Sequence, residues 1–252
     1  MNGPSHLYKY RSLRTNKEKQ FTARIFTHNQ IYFSKYTEFN DPFDCNFYIS
    51  IIGNVITHKA KLQEINPGLS DAKLDIKTRK DLKPKNLEKR KKRIQAAIRQ
   101  INRGIGIFSM SARCDNLLMW SHYADCHRGI CVEFKVTGGK LFGCDLCEVN
   151  YEEEYPKLSV YDDIDLEWTK RYLTTKACDW RYEQEWRIVY RETGCQVFPS
   201  EELTGAILGA RISKKDKKLV LEWMSKSRRE VKLYQAREYD DKFGLDITPV
   251  EY

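Results

Sequence analysis

The stretch Trp180–Val189, WRYEQEWRIV, places two carboxylates one residue apart within a run of aromatic and β-branched side chains. The run has no glycine or proline, and its content of tryptophan, tyrosine, isoleucine and valine predicts a β-strand. Because alternate residues of a strand share a face, Glu183, Glu185 and Arg187 are expected on one side of it, opposite a more apolar side. The stretch therefore predicts either an ion-pair ladder or a functional site around the two glutamates.

The length of the chain suits one large domain or two small ones, and its composition is that of a soluble globular protein. Its 252 residues are 41% hydrophobic, enough for a sizeable core. The amino-terminal segment is polar, and no apolar run approaches the roughly 18 residues of a membrane span, so a cytoplasmic protein without membrane association is expected. In that compartment the eight cysteines are expected to be buried, reduced thiols. Cys144 and Cys147 have the spacing of half a zinc site, but no second pair completes it, and no metal is predicted.

Positive charge is concentrated between Lys77 and Arg103. This segment holds twelve lysines and arginines against two acidic residues, a local charge of +10, whereas the whole chain carries +9 and the remainder nets −1. Apolar residues recur at helical spacing through it, which predicts a helix with a basic outer face. Such a face is an electrostatic footprint for nucleic acid, DNA or RNA, and its alternative is an ordinary solvated helix surface. The candidate phosphate-binding residues are Lys85, Lys89, Arg90, Lys92 and Arg93.

The remaining pattern mixes strands and helices without a strict βαβ rhythm. Thr15 to Glu18 forms a capping box, Asp115 is expected to cap a helix that runs to about Ala124, and another helix is expected from about Asp162 to Thr175. Residues 52–103 are expected to form a basic, mostly helical insertion within one domain that spans residues 1–252. The predicted fold class is α+β, with a mixed, mostly antiparallel split sheet and flanking helices.

Four sequence blocks follow one another along the chain: Leu7–Leu13, Ile31–Cys45, Phe108–Phe134 and Trp180–Ile188. Together they resemble the bacterial domain-of-unknown-function family twenty-nine seventy-one. They reach from the amino terminus to about residue 210 in the family's order, and the basic segment lies outside them. The resemblance implies no particular biochemistry.

A second pattern is similar to ADP-ribosyltransferase domains. These domains carry a basic or histidine residue on the first strand, Ser-x-Ser on a middle strand, and Glu-x-Glu or Gln-x-Glu at the start of a later strand. The matching positions are Lys9 or Arg11, then Ser109-Met-Ser111, then Glu183-Gln-Glu185, in that order. The resemblance implies an ADP-ribosyltransferase-like fold and a glycosyltransferase reaction that uses NAD.

The resemblance also implies roles for these residues. Glu185 would stabilise positive charge that develops on the ribose, and Glu183 would orient or deprotonate the acceptor. Lys9 or Arg11 would hold the pyrophosphate, and the two serines would brace the ribose and the catalytic glutamate. Ring stacking and other cofactor contacts are expected from a set of aromatic side chains, which comprises Tyr10, Trp120, His122 and Tyr123.

Two other functions are compatible with the same residues. In a metal-dependent nuclease, Asp41, Asp44, Glu183 and Glu185 would gather magnesium beside the basic segment. In a non-catalytic nucleic-acid-binding module, the acidic residues would be structural. Glu185 and Arg187 would pair with neighbouring strands, and Asp41 and Asp44 would close a turn. The interpretation favoured here is an NAD-dependent transferase that modifies a nucleic acid. By analogy, its setting would be that of a toxin or phage-defence effector, with an antitoxin or defence protein as a partner.

Overall fold

The computed structural model describes residues 3–50, 55–159, 165–227 and 229–251. The strands of these segments are β1 (His6–Arg11), β2 (Gln30–Lys35), β3 (Tyr48–Ser50), β4 (Gly106–Ser111), β5 (Ile130–Lys135), β6 (Lys140–Leu141), β7 (Cys144–Asp145), β8 (Cys147–Glu148), β9 (Asn150–Glu152), β10 (Lys157–Ser159), β11 (Thr175–Ala177), β12 (Glu185–Tyr190), β13 (Gly194–Val197), β14 (Leu203–Leu208), β15 (Lys232–Glu238) and β16 (Leu245–Pro249). The α-helices are α1 (Asn16–His28), α2 (Val55–Ile65), α3 (Asp71–Asp81), α4 (Pro84–Ile101), α5 (Leu117–Tyr123), α6 (Leu166–Leu173) and α7 (Lys214–Ser225).

A ten-stranded sheet organises the molecule, with strand order β13-β2-β4-β1-β5-β14-β15-β16. On the far edge of β4 the sheet continues through β12 to β8. Within this ten-stranded sheet, neighbouring strands pair antiparallel except for β14 and β15, which are parallel. The prediction of an α+β fold with a mixed, mostly antiparallel sheet is therefore confirmed.

The sheet forks at β4. Strand β12 pairs with one edge of β4 along its full length, from Gly106 to Ser111. On the other edge, β2 pairs only near the start of β4, at Gly106 and Ile107, while β1 pairs at Ser111. The two neighbours therefore separate around residues 108–110, and a gap opens between β1 and β2. This fork positions the candidate site.

Both faces of the sheet are covered. Helices α1 and α7 pack on one face through a core that includes Phe26, Phe108 and Trp223. Helix α5 packs on the other face, where Trp120 contributes to a second cluster. Because successive side chains of a strand alternate between faces, β1 sends Leu7 into the first core and Tyr10 into the second.

Helix starts follow local capping chemistry. The predicted capping box at Thr15 is confirmed and opens α1. Asp115 was the wrong cap for α5: the side chain of Asn116 accepts the amide hydrogens at the helix start, whereas Asp115 pairs with Arg113. Helix α6 begins after Asp165, and part of the helix predicted from residue 162 lies outside the described residues.

The strand predicted over Trp180–Val189 begins only at Glu185. Residues Cys178–Glu183 form a 3₁₀ helix, and Gln184 has a left-handed φ of 42°. The Gln184 amide hydrogen is satisfied within this turn by Arg181 O at 3.2 Å, and Gln184 O accepts from Ala112 N at 2.9 Å. The expectation that Glu183 shares a strand face with Glu185 is therefore wrong, because this turn overrides the strand propensity.

All eight cysteines are free thiols. Cys45 and Cys131 are buried, but Cys126 and Cys195 are exposed, so the expectation of buried thiols is met only in part. Among the described residues, no helix is long and apolar enough to cross a membrane.

Candidate functional site

A cavity of about 380 Å³ lies at the fork, on the α5 face of the sheet. Its volume falls in the range of small-molecule binding sites. The fork contributes side chains of β1 and β4, the loop after β2 contributes a wall, and α5 faces the segment that leads into β12. The predicted site residues that line this pocket are Lys9, Tyr10, Asp44, Ser109, Ser111, His122, Tyr123, Glu183 and Glu185.

Glu185 is a buried carboxylate that two cations hold. Its Oε1 accepts from Arg187 Nε at 2.7 Å, and its Oε2 accepts from Arg187 Nη2 at 3.0 Å and from Lys176 Nζ at 3.1 Å. Burial alone would raise the pKa of Glu185, but the neighbouring Arg187 and Lys176 outweigh it and keep the pKa well below its ordinary value. Glu185 is therefore a permanent negative charge at the pocket wall.

Arg187 lies behind Glu185 and is fully buried. It binds both oxygens of Asp44, with Nη1 to Oδ1 at 2.9 Å and Nη2 to Oδ2 at 2.6 Å, and it donates to Leu173 O at 2.7 Å. Asp44 thus anchors the loop after β2 against the site rather than only closing a turn. Glu185 and Arg187 were expected to pair with neighbouring strands, and they also form an ion pair with each other. Glu185 nevertheless lines the pocket.

Glu183 is the less constrained of the two glutamates. Its Oε1 accepts from Tyr123 Oη at 2.7 Å, and its Oε2 contacts Lys176 Nζ. Ser111 donates to the backbone carbonyl of Glu183 at 2.6 Å and so fixes the position of this residue. Burial raises the pKa of Glu183, while Lys176 opposes that rise. A carboxylate with a raised pKa that faces a pocket is suited to accept a proton.

Lys176 belongs to the site, although no sequence pattern predicted it. It lies on β11 and is buried, with its Nζ 3.1 Å from Glu185 Oε2, 3.7 Å from Asp44 Oδ2 and 4.9 Å from the ring centroid of Trp180. Burial would lower the pKa of Lys176, but Glu185 and Glu183 raise it well above its ordinary value. No motif marks this lysine, because β11 is only three residues long.

Lys9 fills the fork of the sheet. Its Nζ donates to Ser109 O at 2.6 Å and lies 4.9 Å from the ring centroid of Phe108. Burial lowers the pKa of Lys9 to about 8. Arg11, the alternative candidate, does not line the pocket; its Nε donates to Thr22 of α1 at 3.2 Å. The geometry therefore places Lys9, and not Arg11, as the first-strand cation of this site.

The aromatic side chains predicted to contact the cofactor also differ in whether they reach the pocket. Trp120 is fully buried and donates its indole N–H to Cys114 O at 2.8 Å, so it is a core residue and not part of the pocket. His122 is exposed at the rim, where its Nδ1 lies 3.0 Å from Tyr182 Oη. Tyr123 reaches the pocket interior through its bond to Glu183. Tyr10 also lines the cavity, but its hydroxyl donates to Arg113 O.

The carboxylates considered for magnesium are not arranged to bind it. Asp41 accepts from the Phe43 amide at 2.8 Å and does not line the pocket. The other three carboxylates form ion pairs with Lys176 and Arg187; they are Asp44, Glu183 and Glu185. The two side-chain cations therefore lie where a magnesium ion would have to bind. Across the described segments, no group of three or more His, Cys, Asp or Glu side chains could hold a metal ion. The four-carboxylate magnesium site is therefore wrong.

The predicted basic face lies on α4. Ile98 is buried and attaches the helix to the core, and Arg90 is half-buried with its guanidinium 3.4 Å from His58. Within the described parts of the chain, the exposed basic residues of this face have no acidic partner; they are Lys85, Lys89, Lys92 and Arg93. The carboxyl-terminal part of α4 adjoins the loop that carries Asp44, because Arg99 donates to Asn46 Oδ1 at 3.2 Å.

The comparisons with known proteins give one family match. No curated protein and no solved structure gives a significant match to the chain. Residues 119–188, from α5 to the middle of β12, match the family described as Protein of unknown function (DUF2971). This segment contains His122, Tyr123, Lys176, Glu183 and Glu185. The predicted resemblance to family twenty-nine seventy-one is therefore confirmed over residues 119–188, which supply one side of the pocket.

Proposed function

We propose that the protein is an ADP-ribosyltransferase-like enzyme that uses NAD to modify a nucleic acid. The observation that carries the proposal is the convergence of Lys9, the serines at 109 and 111, and the glutamates at 183 and 185 on one pocket. The chain order of these three groups is the order found in ADP-ribosyltransferase domains. We include in the proposal that the forked sheet is an ADP-ribosyltransferase-like fold.

The donor set of the pocket suits the parts of NAD. Lys9 offers a cation to the pyrophosphate, and it remains largely protonated below its pKa of about 8. Glu185 offers a fixed negative charge to the ribose, and Arg187 keeps it ionised. Bound NAD would supply an ADP-ribosyl group joined to a leaving nicotinamide. Glu183 would take the proton of the attacking acceptor group.

A nucleic acid is the acceptor that the charge distribution favours. Helix α4 carries a basic surface whose residues have no acidic partner in the described parts of the chain, namely Lys85, Lys89, Lys92 and Arg93. The carboxyl-terminal end of the same helix adjoins the loop on the pocket wall through Arg99. Phosphate backbones bind such surfaces through release of counterions. By analogy, we propose that the enzyme acts in the cytoplasm as a toxin or phage-defence effector, with an antitoxin or defence protein as a partner.

Transfer of label from NAD tests the proposal. Pure protein is incubated with adenylate-labelled NAD and DNA, RNA or cell lysate, with and without EDTA. We expect label on nucleic acid, indifferent to EDTA and lost in Glu183→Gln and Glu185→Gln. Glu201→Gln is the matched control, because Glu201 is an exposed glutamate outside the pocket.

Two results would contradict the transferase. Magnesium-dependent cleavage of nucleic acid without NAD would identify a nuclease. Retained nucleic-acid binding with neither reaction would leave a non-catalytic binding module.

A further inference from the structure

Lys176 occupies the centre of the carboxylate cluster, and the proposed reaction gives it no role. Its Nζ lies within 4 Å of the carboxylates of Asp44, Glu183 and Glu185. We propose that Lys176 is a positioning residue that keeps Glu183 ionised and aimed into the pocket until Glu183 accepts the acceptor's proton. This inference rests on the proposed function and adds a residue to it.

The count of charges singles out Lys176. The cluster has three carboxylates and two cations. One cation, Arg187, forms its ion pairs with Asp44 and Glu185. Among the described residues, Lys176 is the cation within 4 Å of Glu183. Because Glu183 is 3% exposed, water contributes little to stabilising its charge, and the ionised form depends on this neighbour.

The other groups around Glu183 cannot replace Lys176. Glu185 is a second negative charge and therefore disfavours ionisation of Glu183. The hydroxyl of Tyr123 donates one hydrogen bond, and burial keeps the pKa of this tyrosine well above neutrality. Tyr151, Tyr182 and, at the fork, Lys9 also interact electrostatically with Glu183, but among the described residues Lys176 is the cation in ion-pair contact with it.

The shared position of Lys176 also suits the state after proton transfer. In the proposed reaction, the acceptor forms a bond to the ribose carbon, nicotinamide leaves with the electron pair of the broken bond, and the acceptor's proton moves to Glu183. Glu183 is then neutral. The ammonium of Lys176 still has two carboxylate partners, because its Nζ lies 3.1 Å from Glu185 Oε2 and 3.7 Å from Asp44 Oδ2. Its buried positive charge therefore remains compensated.

Titration of Glu183 by NMR tests this role without any turnover of NAD. The protein carries ¹³C-carboxyl-labelled glutamate, and Glu183→Gln identifies the signal. In Lys176→Met the midpoint of Glu183 should rise by roughly 2 pH units, as expected when an ammonium at contact distance is removed from a buried site. In Lys176→Arg, which keeps a cation at this position, the midpoint of Glu183 should stay close to its wild-type value. Lys157→Met is the matched control, because Lys157 is exposed and pairs with Glu154 outside this pocket.

A midpoint that moves by less than about half a pH unit in Lys176→Met would overturn the inference. If Lys176→Met does not fold, Glu183→Gln gives the reciprocal measurement, since coupling between two titrating groups is mutual. The midpoint of the Lys176 ammonium should then fall by a similar amount, and an unchanged midpoint would overturn the inference. These titrations decide the role of Lys176 independently of the label-transfer experiment, so failure of the proposed function is recognised separately.

The pH dependence of kcat should shift in the same direction as the pKa of Glu183. Loss of Lys176 raises the pKa of Glu183, so a larger fraction of this base is protonated at any given pH, and activity recovers as the pH rises. The acid limb of kcat for NAD consumption should move upward in Lys176→Met by the shift seen in the titration, with KM for NAD changing less. An equal loss of kcat at every pH would indicate a merely structural lysine and would overturn the inference.

Discussion

Replacement of Arg187 by methionine should remove about 3–5 kcal/mol of unfolding free energy. Arg187 is fully buried and makes two-point contacts with both Asp44 and Glu185, at 2.6 to 3.0 Å. Methionine fills much of the same volume, so the cost comes from the charge that is lost. Asp44 and Glu185 would then remain buried with Lys176 as their nearest cation, and an uncompensated buried carboxylate is costly.

The magnitude is large for a single substitution in a chain of this length. At roughly 2–4 °C per kcal/mol, the expected fall in Tm is about 10 °C. Urea unfolding followed by tryptophan fluorescence should show a lower midpoint with an unchanged slope. The matched control is Arg113→Met. Arg113 makes the same two-point contact with Asp115, at 2.8 and 2.6 Å, but both side chains are exposed, so we expect a loss below about 1 kcal/mol.

The pH dependence of this loss gives a further check. Ion pairing depresses the pKa of Glu185 in the folded protein, so its stabilising contribution is full above the unfolded pKa of about 4.3 and is lost as the pH falls towards the folded value. The difference in stability between wild type and Arg187→Met should therefore narrow below about pH 4. Equal losses for Arg187→Met and Arg113→Met at pH 7 would refute the assignment of Arg187 as the buried counter-ion of the site.

Three other perturbations follow from the structure. Lys9→Met should weaken ADP binding about tenfold at pH 7, measured by calorimetry. Because the pKa of Lys9 is about 8, the affinity of the wild type for ADP should fall between pH 7 and pH 9, whereas that of the variant should stay constant. Gly209→Ala should lower the unfolding free energy by about 1–3 kcal/mol, since a Cβ there would lie 2.2 Å from His127 O; full stability in urea would contradict that contact. The double variant Lys92→Glu, Arg93→Glu should weaken nucleic-acid binding and reduce its logarithmic salt slope by about 2 in anisotropy titrations, whereas an unchanged slope would remove α4 from the interface.

The parts of the site that the sequence predicted lie on paired strands. In the antiparallel register of β4 and β12, Ser111 lies opposite Glu185 and Ser109 lies opposite Arg187. Directly opposed residues share a face of the sheet, so Ser109 and Ser111 lie on the face that carries Glu185. Glu183 precedes β12 and takes no part in this register. The Ser-x-Ser spacing was therefore informative, as were the family blocks where they fall within residues 119–188.

The parts that the sequence could not predict depend on contacts between distant segments. Lys9 and Arg11 have the same strand parity, and only the fork of the sheet assigns Lys9 to the pocket. Lys176 lies on a short strand that pairs in parallel with β9, a partnership that no local pattern indicates. The turn at Gln184 depends on a hydrogen bond from Ala112, more than 70 residues away. Strand propensity alone therefore placed Glu183 incorrectly.

Release of nicotinamide from NAD tests the central claim most directly. Purified protein is mixed with nicotinamide-labelled NAD and with DNA, RNA or lysate, and free nicotinamide is measured for wild type and Glu183→Gln. We expect release by wild type and a loss of at least about 100-fold in Glu183→Gln, with an unchanged Tm. No release by wild type with any of these acceptors, or equal release by Glu183→Gln, would contradict the assignment of this pocket to NAD chemistry.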